Sequence, residues 1–223
     1  TTKFNNIIIT GMSGSGKTAF AKLYAFFSGR SFLDFDDFLE KNARKTIAEI
    51  YAEHGENKFK SIESKELRKL ERRKQFVIAM GEGTLLSHDN LAFARKLGLI
   101  IHLKTNPETI AKRIFKDRTN PHARISPLFE KDVTQEEILE RAKSLLLERE
   151  VQYEKADIIL PTDYSSLDNL VAQLSLIEQK AQRPDYMRVV NEIMKRGWKQ
   201  SQKETKQAVV ESEEEKPVEQ LPT

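Results

Sequence analysis

The sequence predicts an α/β fold of three layers, a five-stranded parallel sheet with helices on both faces. Two observations predict it. Short apolar runs of strand length alternate with helical patterns, from Ile7-Ile8-Ile9 through Phe76–Met80 and Leu99–Leu103 to Asp157–Leu160. The first run ends in Gly11-Met12-Ser13-Gly14-Ser15-Gly16-Lys17-Thr18, the pattern G-x-x-x-x-G-K-[ST] with an extra glycine at position 14. That pattern stands between a strand and a helix, the context in which it cradles phosphate.

The chemistry of this loop follows part by part. Glycines let backbone N–H groups curl inward around an anion. The helix that starts near Lys17 points its positive end at the same anion. Lys17 would reach the β- and γ-phosphates, and the Thr18 hydroxyl would sit on Mg²⁺. Gly14, Ser15, Gly16, Lys17, Thr18 and Ala19 are therefore the candidates for binding ATP.

Ala19–Ser28 has apolar residues at helical spacing and ends at Gly29. Phe32-Leu33-Asp34-Phe35-Asp36-Asp37 reads as a short strand opening on a cluster of acids. On a strand, Asp34 and Asp36 would face the same way, one for Mg²⁺ and one for a substrate hydroxyl, while Asp37 would cap the next helix. Thr46-Ile47-Ala48-Glu49 is a capping box that opens a helix to His54, and Gly55 stops it. A charged helix follows from Glu56 to Leu70, in which Lys60 and Glu63 read as a solvated pair one turn apart. Phe76–Met80 runs into Gly81-Glu82-Gly83, two glycines after a buried strand, which suggests a close backbone approach. Ser87–Leu97 is a helix, Leu99–Leu103 a strand with His102 as a core or edge histidine, and Asn106-Pro107 a helix start. Periodicity breaks from Lys116 to Lys131, a basic segment of lid character over about 116–131. Thr134-Gln135-Glu136-Glu137 is a second capping box that opens a helix to about Lys155. A last strand at Asp157–Leu160 and a helix at Ser166–Gln182 complete the domain, residues 1–182. Residues 183–223 read as an extension, a short helix at Tyr186–Trp198 and then a disordered charged tail.

Bulk properties narrow the function. The chain has 223 residues, enough for one domain with a real core and a tail. Its 37 basic and 34 acidic residues nearly balance, which does not argue for a nucleic-acid binder. With no cysteine, disulfides and thiolate metal sites are excluded. No stretch has the length of a membrane span. The expectation is a cytoplasmic monomer acting on a small molecule, without nucleic-acid or membrane partners.

At this point the chain resembles the shikimate kinases, small P-loop NTPase-type proteins with the nucleoside-monophosphate-kinase-like fold. The resemblance rests on the phosphate loop, on Leu33-Asp34-Phe35-Asp36 at the place of an Asp-x-Asp, and on Thr46–Glu63 as a helical signature ending Gly-Glu, Phe-Lys, Glu. It continues with Gly81-Glu82-Gly83, Arg118–Phe129 as a lid, and Arg149 four residues before Tyr153. It implies ATP-dependent phosphorylation of the 3-hydroxyl of shikimate, a step of aromatic amino-acid biosynthesis. It also implies roles. Lys17, Asp36 and the lid's Arg124 would be catalytic, and Thr18 and Asp34 would hold Mg²⁺. Arg118 would lie against adenine or phosphates. Asp36, Lys60, Glu82 and Arg149 would line the acceptor site, Lys60 and Arg149 on its carboxylate.

Three positions depart from the family's pattern. Lys60 stands for an arginine, and loses the planar fit to a carboxylate. Glu82 stands for the middle of three glycines, where a carboxylate would repel an anion. Ser126 stands for the arginine before Pro127-Leu128, leaving Arg124 as the nearest. All three touch the acceptor or the lid. A kinase of another polyol acid, such as gluconate, and a nucleotide-binding regulatory protein remain the alternatives.

Overall fold

The computed structural model describes residues 4–120, 126–129 and 134–180. Arg124 and the extension at 183–223 lie outside the described residues, as does part of the lid.

Five parallel strands form one sheet, in the order β2-β3-β1-β4-β5: β1 (Asn6–Thr10), β2 (Ser31–Asp34), β3 (Phe76–Ala79), β4 (Leu99–Lys104) and β5 (Ile158–Pro161). Side chains alternate across a strand, so Ile7 and Ile9 face one layer and Ile8 the other. On the first face they pack with α1 (Lys17–Ser28) and α7 (Leu167–Lys180). On the second, Ile8, Ile78 and Ile100 pack with α2 (Phe35–Ala43), α3 (Ile47–Arg68) and α4 (His88–Leu97). The three layers are those the sequence predicts. Across α1 and α7, Arg30 and the Tyr24 hydroxyl both close on the buried carboxylate of Glu178.

A smaller cluster sits over the end of the sheet. There α5 (Pro107–Asp117) and α6 (Gln135–Tyr153) pack around Met12 and Phe129. Both predicted capping boxes are present. Thr46 accepts from the Glu49 N–H and Thr134 from the Glu137 N–H, and each glutamate reaches back to its threonine's N–H. Gly55 bends α3 with φ 72° and does not end it, so the two predicted helices form one bent element.

Candidate active site

Neighbouring strands bring the site together. Ile9 lies beside Ala79, and Ala79 beside Asp34. The loop after β1, the start of α2 and the turn after β3 therefore open on one cleft of about 870 Å³ at the carboxyl edge of the sheet.

The phosphate loop forms one end. Gly16 precedes α1 at φ 90°, a conformation that residues with a side chain rarely adopt. Gly14, Gly16, Lys17, Thr18 and Ala19 line the cleft, and Ser15 is buried. Lys17 Nζ donates to the Met12 carbonyl at 2.8 Å. Burial holds the Lys17 ammonium below its ordinary pKa, while the charges of Glu82, Asp36 and Asp34 oppose that shift. Arg113 Nη1 donates to the Gly14 carbonyl at 3.1 Å and also lines the cleft. Sequence reading missed Arg113. No spacing rule marks it, and it arrives because Ile110 and Ile114 of α5 pack directly on Gly14. Arg118, by contrast, donates to the Phe129 carbonyl and is not among the residues lining the cleft.

The two aspartates correct the strand reading. β2 ends at Asp34, and Asp36 lies in the first turn of α2. Asp34 is itself the cap, its Oδ1 accepting from the N–H groups of Asp36 (3.1 Å) and Asp37 (3.4 Å). The cap is therefore not Asp37. The short side chain of Asp34 satisfies free amides two and three residues on, and this turns the chain from strand to helix three residues earlier than a cap at Asp37 would. Asp34 Oδ2 accepts from the Thr18 hydroxyl at 2.9 Å. Two hard oxygen donors beside a phosphate cradle suit Mg²⁺, which takes one or two protein oxygens and completes its shell with phosphate and water. Among the described residues no group of three or more His, Cys, Asp or Glu could hold a metal unaided.

Asp36, Lys60, Glu82 and Arg149 line the same cleft. The expected close approach falls at Gly81. A Cβ there would stand 2.7 Å from Asp36 Oδ1 and 3.2 Å from Glu63 Oε1, whereas Gly83 faces open space. Glu63 is buried, not solvated, and accepts from the Thr84 hydroxyl. Burial pushes its carboxyl up to about 7; the Thr84 bond opposes this, and Asp36 and Glu82 add to it. The surface reading fails because Glu63 lies midway between buried Phe59 and Leu67, eight residues apart on one helix face. That spacing was the signal available in the sequence. Lys60 pairs with Glu56 at 2.6 Å, each side chain 59% exposed.

Arg149 and Tyr153 point inward with Ile138 and Ala142 because all four share one face of α6. The Tyr153 hydroxyl donates to the Glu82 carbonyl at 2.7 Å, and its ring stacks on His102 at 4.8 Å. His102 is a core residue as expected, its pKa lowered by burial to about 3. Arg149 Nη1 lies 3.6 Å from Met12 Sδ and 4.0 Å from Glu82 Oε2. The Glu82 carboxylate also accepts from the Ser13 N–H at 3.0 Å and from the Ser126 hydroxyl. Two of the departures from the family pattern thus touch each other.

The family model described as shikimate kinase matches residues 13–178. The chain is 32% identical over 169 residues to a shikimate kinase of Chlorobium limicola, across 76% of this chain and 84% of the relative. It is 35% identical over 173 residues to a shikimate kinase of Chlorobaculum tepidum, across 76% and 87%. The solved structure of a shikimate kinase from Acinetobacter baumannii in complex with shikimate matches with a TM-score of 0.71 at 27% identity, across 82% of this chain and 97% of that one.

Proposed function

The chain belongs to the shikimate kinase family, and we propose that its cleft transfers the γ-phosphoryl group of ATP to the 3-hydroxyl of shikimate. The observation that supports this most is the convergence of the phosphate loop, Asp36 and Arg149 on one cleft.

In this reading the backbone amides of Gly14–Ala19 receive the β- and γ-phosphates, and Lys17 turns from the Met12 carbonyl to meet them. Thr18 and Asp34 hold Mg²⁺, which when bound neutralises charge on the phosphate oxygens. Asp36 orients the acceptor and takes the proton of its 3-hydroxyl as that oxygen bonds to the γ-phosphorus. The bond from phosphorus to the bridging oxygen breaks, and ADP leaves. Arg149 and Lys60 meet the acceptor carboxylate, and Arg124 comes from the lid. Arg113 serves the phosphate side, while Arg118 tethers the Phe129 segment beside the nucleotide. Positioning and charge neutralisation supply most of the rate.

The unit responsible is residues 1–182, a monomer of the cytoplasm with no nucleic-acid or membrane partner. No helix among the described residues is long and apolar enough to cross a membrane. ADP formation with Mg-ATP and shikimate tests the function, beside gluconate and a control without acceptor. Stimulation by shikimate alone is expected. Stimulation by gluconate alone would reassign the acceptor, and none by either acid would leave a nucleotide-binding protein.

A further inference from the structure

We propose that Glu82 is a resident carboxylate that stands in the acceptor's place against Arg149, so that an acidic acceptor binds only by displacing it. This rests on the reading of the cleft as a shikimate kinase site.

The group is of the right kind in the right position. A carboxylate is what shikimate itself would bring to Arg149. Glu82 Oε2 lies 4.0 Å from Arg149 Nη1, looser than the roughly 2.8 Å of a bidentate fork. The guanidinium is not saturated, since among the described residues Nη1 meets only the weakly accepting Met12 sulfur at 3.6 Å besides Glu82. Glu82 therefore screens Arg149 and leaves donors open for a better-placed anion. Both side chains are well shielded, Arg149 10% and Glu82 14% exposed. Two carboxylates sharing that cation would repel each other with little solvent between them. The incoming one prevails by completing the fork, and Glu82 turns aside.

The other contacts of Glu82 show what its displacement releases. Oε2 occupies the Ser13 N–H, an amide of the phosphate loop, and Oε1 occupies the Ser126 hydroxyl, next to Pro127 across the cleft. The Glu82 backbone is held separately by the Tyr153 hydroxyl. The carboxylate can thus swing by side-chain rotation while the turn after β3 stays in place. Filling the acceptor site frees a donor-side amide and a lid-side hydroxyl together. Glu82 and Ser126 depart from the family pattern as one feature, the hydroxyl holding the carboxylate that the glutamate introduces.

The test compares the 223-residue chain with Glu82→Gln and Glu82→Gly, using shikimate and its uncharged methyl ester as acceptors. Glu82→Gln should lower the KM for shikimate about tenfold, while the ester's KM moves less than about twofold and that of ATP less than about threefold. Glu82→Gly should do the same. Turnover of shikimate by the parent chain with no change in KM in either variant would overturn the proposal and leave the kinase reading standing. Equal gains for acid and ester would overturn it too, by removing charge as the cause. If the parent chain ignores shikimate but a variant phosphorylates it, the proposal holds and the kinase reading of the parent falls. If neither does, both fall.

Discussion

On the donor side of the cleft, the groups that would meet phosphate are backbone amides and two side chains already held by ordinary hydrogen bonds. Lys17 rests on the Met12 carbonyl at 2.8 Å, and the Thr18 hydroxyl on Asp34 at 2.9 Å. On the acceptor side, the charged groups are half-committed to one another. Lys60 leans out to Glu56, Arg149 stands 4.0 Å from Glu82, and Glu63 is buried against the Thr84 hydroxyl. One contiguous loop builds most of the first side, joined by Asp34 and Arg113. The second needs α2, α3, α6 and the turn after β3, four elements brought together only by the fold. Chemistry written in backbone tolerates sequence change, whereas chemistry written in side chains from distant elements can be retuned one residue at a time.

The sharpest way to break the comparison is Asp36→Asn. Asp36 sits at the seam, in the first turn of the helix that Asp34 caps. If it serves only the acceptor, the variant should lose on the order of a thousandfold in turnover and keep ATP affinity within about twofold. Titration of a fluorescent ATP analogue alongside the kinase assay separates the two. A matching loss of nucleotide affinity would put Asp36 on the donor side.

The same division explains what could be read from sequence. The strands fell within a residue or two of prediction, because continuous apolar runs bounded by glycine and acids leave few choices. Gly11–Thr18 and the capping boxes at Thr46 and Thr134 were legible because their function is local, every partner lying within a few residues. Glu63 was misread because surface pairing with Lys60 assumes a solvated helix, whereas its spacing from Phe59 and Leu67 puts it on the buried face of α3. The carboxylate of Glu82 was expected to repel the acceptor. That it holds Ser13 and Ser126 depends on contacts 69 and 44 residues away, beyond any spacing rule. Asp34 and Asp36 were placed in the right cleft for a wrong reason, a strand pleat instead of a helix cap.

Glu63 offers a second test, read in stability. Its carboxyl titrates at about 7 in the folded chain against an ordinary 4.5. Below pH 4.5 it is protonated folded or unfolded and costs nothing. Between 4.5 and 7 the unfolded chain gives up the proton while the folded chain keeps it. Stability therefore falls as pH rises through that window, by on the order of 3 kcal/mol, and then levels. Glu63→Gln keeps an acceptor for the Thr84 hydroxyl and removes the titration. Urea midpoints should diverge from the parent between pH 4.5 and 7, with the variant the more stable at pH 8. Parallel curves would mean that Glu63 is not the strained group of the acceptor side.

The smallest effect is expected from Lys60→Arg, and it asks whether the acceptor side is only loosely assembled or built for a different acid. Lysine is a point charge on a flexible stem, and here it is drawn outward by Glu56 one turn before it. Arginine would offer a planar fork to a carboxylate, but Glu56 would compete for it as well. The exposed pair is screened by solvent, so that competition is weak. The net gain should be a fall of about threefold in the KM for shikimate, with the KM for ATP unmoved. Raising salt should reduce the difference between lysine and arginine only slightly, because a bidentate contact depends on geometry more than on long-range charge. A KM that rises instead would mean that Lys60 does not face the acceptor carboxylate during turnover, leaving Arg149 to bind it unaided.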